Sequence, residues 1–120
     1  MTIELNHTIV PSHDKTESAK FFARIFGLKY EGAYSHFDCV HLDESLVFLF
    51  DNYESFESHH YAFKVGDEEF DAIFGRIKAE GIAYGSRPSA QDDMTINHHN
   101  GGRGVYFRDA NGHSLELLTV

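Results

Sequence analysis

The chain contains two versions of one element. "DKTESAKFFARIFGLKYEG" (residues 14–32) and "DEEFDAIFGRIKAEGIAYG" (residues 67–85) each open on an Asp and place acidic residues early. Each closes on a glycine followed by aliphatic, any residue, Tyr. An opening Asp predicts a helix N-cap, with early carboxylates on the positive end of the helix dipole. Gly27 and Gly81 predict the left-handed residue that ends a helix. Phe70, Ile73, Phe74 and Ile77 follow the spacing of one buried helix face, and Phe21, Phe22, Ile25 and Phe26 form a broader stripe.

Short strand-like runs surround both helices. "IELNHTIV" precedes the first, and "LKYEGAY", "FDCVHL" and "SLVFLF" follow it, with "DES" as a turn. "HHYAFKV" precedes the second, and "IAYGS", "RGVYFRD" and "HSLELLTV" follow, with the hairpin signal Asn-Gly inside "DANGH". Each half reads β-α-β-β-β. With no Pro-, Gly- or Ser-rich linker between them, the expectation is one α+β domain over residues 1–120. Its first unit covers about residues 1–54 and its second about 58–120. Residues 85–103, "GSRPSAQDDMTINHHNGGR", break the symmetry with a connection of a length that is usually functional or mobile.

A length of 120 residues suffices for a core without covalent help. A formal charge of −9 with scattered Lys and Arg argues against nucleic acid or an anionic membrane as partner. The single Cys39 cannot form an internal disulfide and suits a reducing compartment. "MTIELNHTIV" lacks the signal-peptide pattern, and no apolar run reaches the ~20 residues of a membrane span. These features predict a soluble, cytoplasmic protein.

Glu116 interrupts the apolar run "SLELL", and an ionised carboxylate there needs a cation or several donors. His7 and His60 lie on the first strands of the two halves, 53 residues apart, and Glu116 follows His60 by 56. Two imidazoles and a carboxylate make a good shell for a divalent ion, leaving positions open for substrate. Strand alternation puts His59 with Tyr61, Phe63 and Val65, and His60 on the opposite face with Ala62 and Lys64. His7 is less clear, because Ile3, Leu5 and Ile9 share its parity.

"LNHTIV", "HHYAFKV" and "GVYFRDANGHSLELL", set in paired β-α-β-β-β units, resemble the vicinal oxygen chelate superfamily over essentially the whole chain. That superfamily includes glyoxalase I, extradiol dioxygenases, and fosfomycin and bleomycin resistance proteins. The resemblance implies a cupped mixed sheet around a divalent metal (Fe, Mn, Zn or Ni) held by His7, His60 and Glu116. It also implies a homodimer in which one subunit can supply the first-strand histidine to its partner's site. The chemistry implied is dioxygenase-like or lyase-like, on a small substrate that chelates the metal through vicinal oxygens. The alternative is a non-catalytic sequestering protein of the bleomycin-resistance type. Three departures narrow the choice. Ala110 replaces the family's usual proline, and Ile9 stands where the fosfomycin-modifying relatives have threonine. The position matching glyoxalase I's fourth ligand is about Phe48, so a typical glyoxalase I is not expected. His98 or His99, in the long loop, is the candidate for the acid–base histidine of the dioxygenases.

The remaining polar residues read as structural. Tyr30 and Tyr84 are equivalent repeat positions, Arg103 is a surface arginine, and His113 bonds backbone in the "NGH" turn. His36 and His41 differ in strand parity, and neither is assigned.

Overall fold

The computed structural model describes residues 2–120. The chain is α+β and built of paired βαβββ modules, which form two compact units, Met1–Phe56 and Glu57–Val120.

In the first unit, β1 (His7–Ser12) leads into α1 (Lys15–Phe26), then β2 (Tyr30–Tyr34), β3 (Phe37–His41) and β4 (Val47–Asn52). The sheet order is β1-β4-β3-β2, with β1 and β4 parallel and the other pairs antiparallel. The Asp14 carboxylate caps α1 by accepting from the Glu17 N–H, and Gly27 ends it at φ 71. Phe22 from the helix stacks against Phe48 and Phe50, with ring centroids 5.1 and 5.9 Å away. Val10, Val40, Phe48 and Phe50 fill the helix-facing side of the sheet and are buried. Asp43 closes the β3–β4 turn by accepting from the Ser45 and Leu46 N–H groups, which hold its carboxyl below the usual range.

The second unit repeats this plan. It runs β5 (His60–Lys64), α2 (Asp67–Ala79), β6 (Tyr84–Gly85), β7 (Gly104–Arg108) and β8 (Ser114–Leu118), with sheet order β5-β8-β7-β6. Phe70, Ile73 and Ile77 are buried under α2, while Phe74 stacks edge-on to Tyr84. The expected Asp67 cap is not used. Gly66 holds the N-cap position with no side-chain bond, and Asp67 is the first helical residue. Its carboxylate instead meets Arg103 at 3.0 Å, and Asp71 meets the same guanidinium at 2.7 Å, over the Phe70 ring. Arg103 is therefore committed to tethering α2.

The long connection is folded onto its sheet. Met94 N–H bonds back to the Tyr84 carbonyl, and Asn97 pairs with Gly104 in both directions. A side chain at Gly85 would collide with the Ala90 carbonyl, so this close approach requires glycine. Gln91 is buried, and its amide donates to the Pro88 carbonyl and the Ser114 hydroxyl. Asp93 organises the turn by accepting from the backbone and hydroxyls of Ser86 and Thr95. Those bonds, the hydroxyls foremost, hold its pKa down to about 2. Among the described residues no helix is long and apolar enough to cross a membrane.

The Asp93 bonds favour the carboxylate, and a depressed folded pKa stabilises the fold only where the group is ionised. That contribution should be complete above the unfolded value of about 3.9 and vanish as pH falls through about 2. The stability gap between wild type and Asp93→Asn, measured by denaturant titration, should therefore shrink across this acidic window and stay constant from pH 5 to 8.

Candidate metal centre

The register of the second sheet decides which side chains share a face. His60 pairs with Ser114 and Ala62 with Glu116 across the parallel β5–β8 ladder, and Tyr106 pairs with Glu116 across β7–β8. Side chains alternate along strands, so His60, Tyr106 and Glu116 stand on one face. Leu115, Leu117, Val105 and Phe107 stand on the other, fully or almost fully buried. His60 Nε2 and Glu116 Oε1 are 2.9 Å apart, with side-chain exposures of 48% and 18%. The Tyr106 hydroxyl donates to the same carboxylate. Burial, and then this bond to Glu116, raise the phenol's pKa above its ordinary value. The carboxylate inside an apolar strand is thus received by an imidazole and a phenol.

His59 turns away from this pair. Its Nδ1 lies 2.8 Å from the Tyr61 hydroxyl, and its backbone N–H donates to Nδ1 of His113 at 2.9 Å. His113 is fully buried, and the turn before it is set by Asp109, whose carboxylate accepts from the Asn111 and His113 N–H groups. Tyr61 is pushed up to about 12 by burial and by the Asp109 charge, so it stays a neutral donor. His113 thereby anchors the residue directly before His60.

In the first unit the parity of His7 is resolved. β1 begins at His7, so Ile3 and Leu5 precede the strand and are exposed, while Val10 lies on the helix side. His7 and His41 both take Val47 as their partner, from opposite sides of β4. They line an open recess of about 660 Å3 with Glu31, Cys39, Val47 and Leu49. His7 Nδ1 lies 2.7 Å from the Asn6 side-chain oxygen, a contact that favours the tautomer with its proton on Nδ1 and the Nε2 lone pair available. Cys39 is both a recess residue and buried. Burial, and then the charges of Glu31 and Asp38, raise its thiol pKa and keep it protonated.

The structure brings His60 and Glu116 into contact and sets His7 in the other unit. Among the described residues no three His, Cys, Asp or Glu side chains converge on one point. His98 caps the 3-10 turn His99–Gly101, and both histidines are exposed. The His99 N–H bonds the Asn97 side chain at 3.3 Å.

No family model matches the chain. It is 26% identical over 126 residues to glutathione transferase FosA of Serratia marcescens, covering 98% of this chain and 81% of that protein. Its fold superposes on the oxidase ChaP-H1 with a TM-score of 0.93 at 43% identity, over 99% of this chain and 97% of that one. On the oxidase ChaP-H2 the TM-score is 0.95 at 44% identity, over 100% of this chain and 95% of that one. The chain belongs to the vicinal oxygen chelate superfamily. A glyoxalase/dioxygenase from Nostoc punctiforme, 18% identical with a TM-score of 0.72, shares the fold. Phe48 faces α1, and the flanking residues on the open face, Val47 and Leu49, carry no donor atom.

Replacing His113 with Leu leaves the His59 N–H without its acceptor. Thermal or denaturant unfolding should show a loss of roughly 0.5–1.5 kcal/mol, the worth of one part-buried hydrogen bond. The NMR signals of His59 and His60 should shift with it.

Proposed function

We propose that this chain is a metal-dependent enzyme of oxidase or dioxygenase type. In this reading His60 and Glu116 hold a divalent ion together with His7, and a small substrate binds it through adjacent oxygens. The observation that carries the reading is the 2.9 Å His60–Glu116 pair on the open face of the second sheet. One neutral imidazole and one carboxylate suit Fe, Mn, Zn or Ni, and a second imidazole completes a three-residue set with positions left for substrate. Whole-length identity of 43–44% to two chains named as oxidases favours Fe or Mn and oxidative chemistry over a lyase reaction. The bound ion would supply Lewis-acid stabilisation of charge on the substrate oxygens.

The chain's own groups have distinct tasks. Asn6 favours the His7 tautomer that can ligate. Tyr106 holds the Glu116 carboxylate in place, so that the ligand is preorganised. His113 sets the height of β5 and hence of His60. His98 or His99, in the exposed turn of the second unit, is the candidate for proton transfer in the reaction. The third ligand, His7, comes from the same chain or from a second copy in a homodimer.

Elemental analysis after anaerobic reconstitution with Fe, Mn, Zn and Ni tests this. Wild type should retain about one ion per chain, as expected for a single three-ligand site, while His7→Ala, His60→Ala and Glu116→Ala lose it. Mixing His7→Ala with Glu116→Ala restores metal only if His7 is donated between copies. Absence of metal from the wild type would sink the enzyme reading and leave a sequestering protein.

A further inference from the structure

Gln91, in the folded-back connection, carries one polar atom that the fold leaves without a partner. The side chain is buried, and its amide nitrogen donates to the Pro88 carbonyl at 3.1 Å and to the Ser114 hydroxyl at 3.0 Å. Its Oε1 is buried as well, and it has no hydrogen-bond partner among the described residues. The neighbours settle which way the amide points. The Pro88 carbonyl can only accept, so the nitrogen faces it and the oxygen faces away. A buried acceptor without a donor is disfavoured, and such an atom marks a place where a donor is to arrive.

The strand register locates this acceptor. Gly85 pairs with Tyr106 and Tyr106 with Glu116, so the three positions share one face of the sheet. The Ala90 carbonyl and the Gln91 Cα occupy the space that a Cβ on Gly85 would take, which puts residues 90 and 91 on that same face. From there the Gln91 side chain reaches Ser114 on β8, across the intervening strand β7. Ser114 is the direct partner of His60, about 4.8 Å away across the ladder, and the two side chains rise from one face. Gln91 thus starts over β6 and ends within one strand of His60. Oε1 shares its carbon with the nitrogen that bonds Ser114, so it borders the space above the His60–Glu116 pair. The Tyr106 hydroxyl on this face is already committed to Glu116, whereas the Gln91 oxygen is uncommitted.

We propose that Gln91 selects the substrate: Oε1 accepts a hydrogen bond from a neutral N–H or O–H group standing directly beside the two oxygens that chelate the ion. An amide oxygen is a neutral acceptor, so it rewards an un-ionised donor and offers nothing to an anion or a methyl group. A ligand with methyl in place of that donor leaves Oε1 buried and unpaired, and the site rejects it for that reason. The inference rests on the proposed function in taking an ion at His60 and Glu116, and it adds the donor that the substrate must carry. Gln91 makes and breaks no covalent bond; its part is discrimination.

The test uses the Zn-loaded full-length chain with acetohydroxamic acid and N-methylacetohydroxamic acid. Both chelate through the same two adjacent oxygens, and they differ only in bearing hydrogen or methyl on the nitrogen within the chelate ring. Calorimetric titration should show wild type preferring the N–H compound about ten- to a hundredfold more strongly than the free ion does, the worth of pairing one buried acceptor. Gln91→Met, which keeps the side chain's length and removes the acceptor, should retain zinc and return the ratio to that of the free ion. Ser114→Ala, which frees the amide on one side, should lower the ratio by a smaller factor. In NMR spectra of wild type, the Gln91 side-chain NH2 signals should shift with the N–H compound and stay in place with the N-methyl compound. That readout needs no variant, so it decides the question even if Gln91→Met does not fold. A wild-type ratio equal to that of the free ion, an unchanged ratio in Gln91→Met, or signals that respond alike to both compounds would overturn the inference. Each of those results leaves zinc bound and the metal reading standing, whereas a wild type that holds no zinc overturns both.

Discussion

The register of β5 against β8 is the constraint on which the candidate site depends. A parallel pair in which Ala62 faces Glu116 puts His60 and Glu116 on one side of the sheet and every large apolar side chain of β8 on the other. A slip of one residue would drive Glu116 into the layer beneath α2 and expose Leu115 and Leu117. The slip is opposed at two points. Burial of Leu115 and Leu117 favours one alternation, and the buried His113 ring accepts the His59 N–H at the strand's entry. The same apolar pattern that holds the module together therefore also sets the His60–Glu116 contact.

The two modules use one plan for different ends. In both, the helix seals one face of a four-stranded sheet and leaves the other open. The helices begin at Lys15 and Asp67, 52 residues apart, close to the 53 that separate His7 from His60 at the starts of β1 and β5. Equivalent first strands thus present a histidine on each open face. The remaining open-face residues have diverged. The first unit carries an apolar floor with Glu31 and His41, and the second carries Tyr106, Glu116 and the folded-back loop.

Much of this was legible from local pattern. Period-2 alternation separated His59 from His60, and Asp14, Gly27 and Gly81 marked helix ends, because each signal depends on a few neighbouring residues. What was hidden depends on distant partners. Asp67 reads as a cap, yet Arg103, 36 positions later, takes its carboxylate. The parity of His7 was ambiguous because Ile3 and Leu5 resemble strand residues, and only pairing with β4 shows where β1 begins. The long loop read only as functional or mobile because its order comes from Asp93 and from bonds to Tyr84 and Gly104, which no local rule links. The bonds from His60 and Tyr106 to Glu116 follow from the same register.

The measurement that tests the central claim most directly is anomalous diffraction from crystals of the Mn-loaded protein. The expected result is one strong peak within bonding distance of His60 Nε2 and the Glu116 carboxylate, with His7 Nε2 of the same or a neighbouring copy as third protein ligand. A peak on other residues, with the His60–Glu116 hydrogen bond intact, would contradict it.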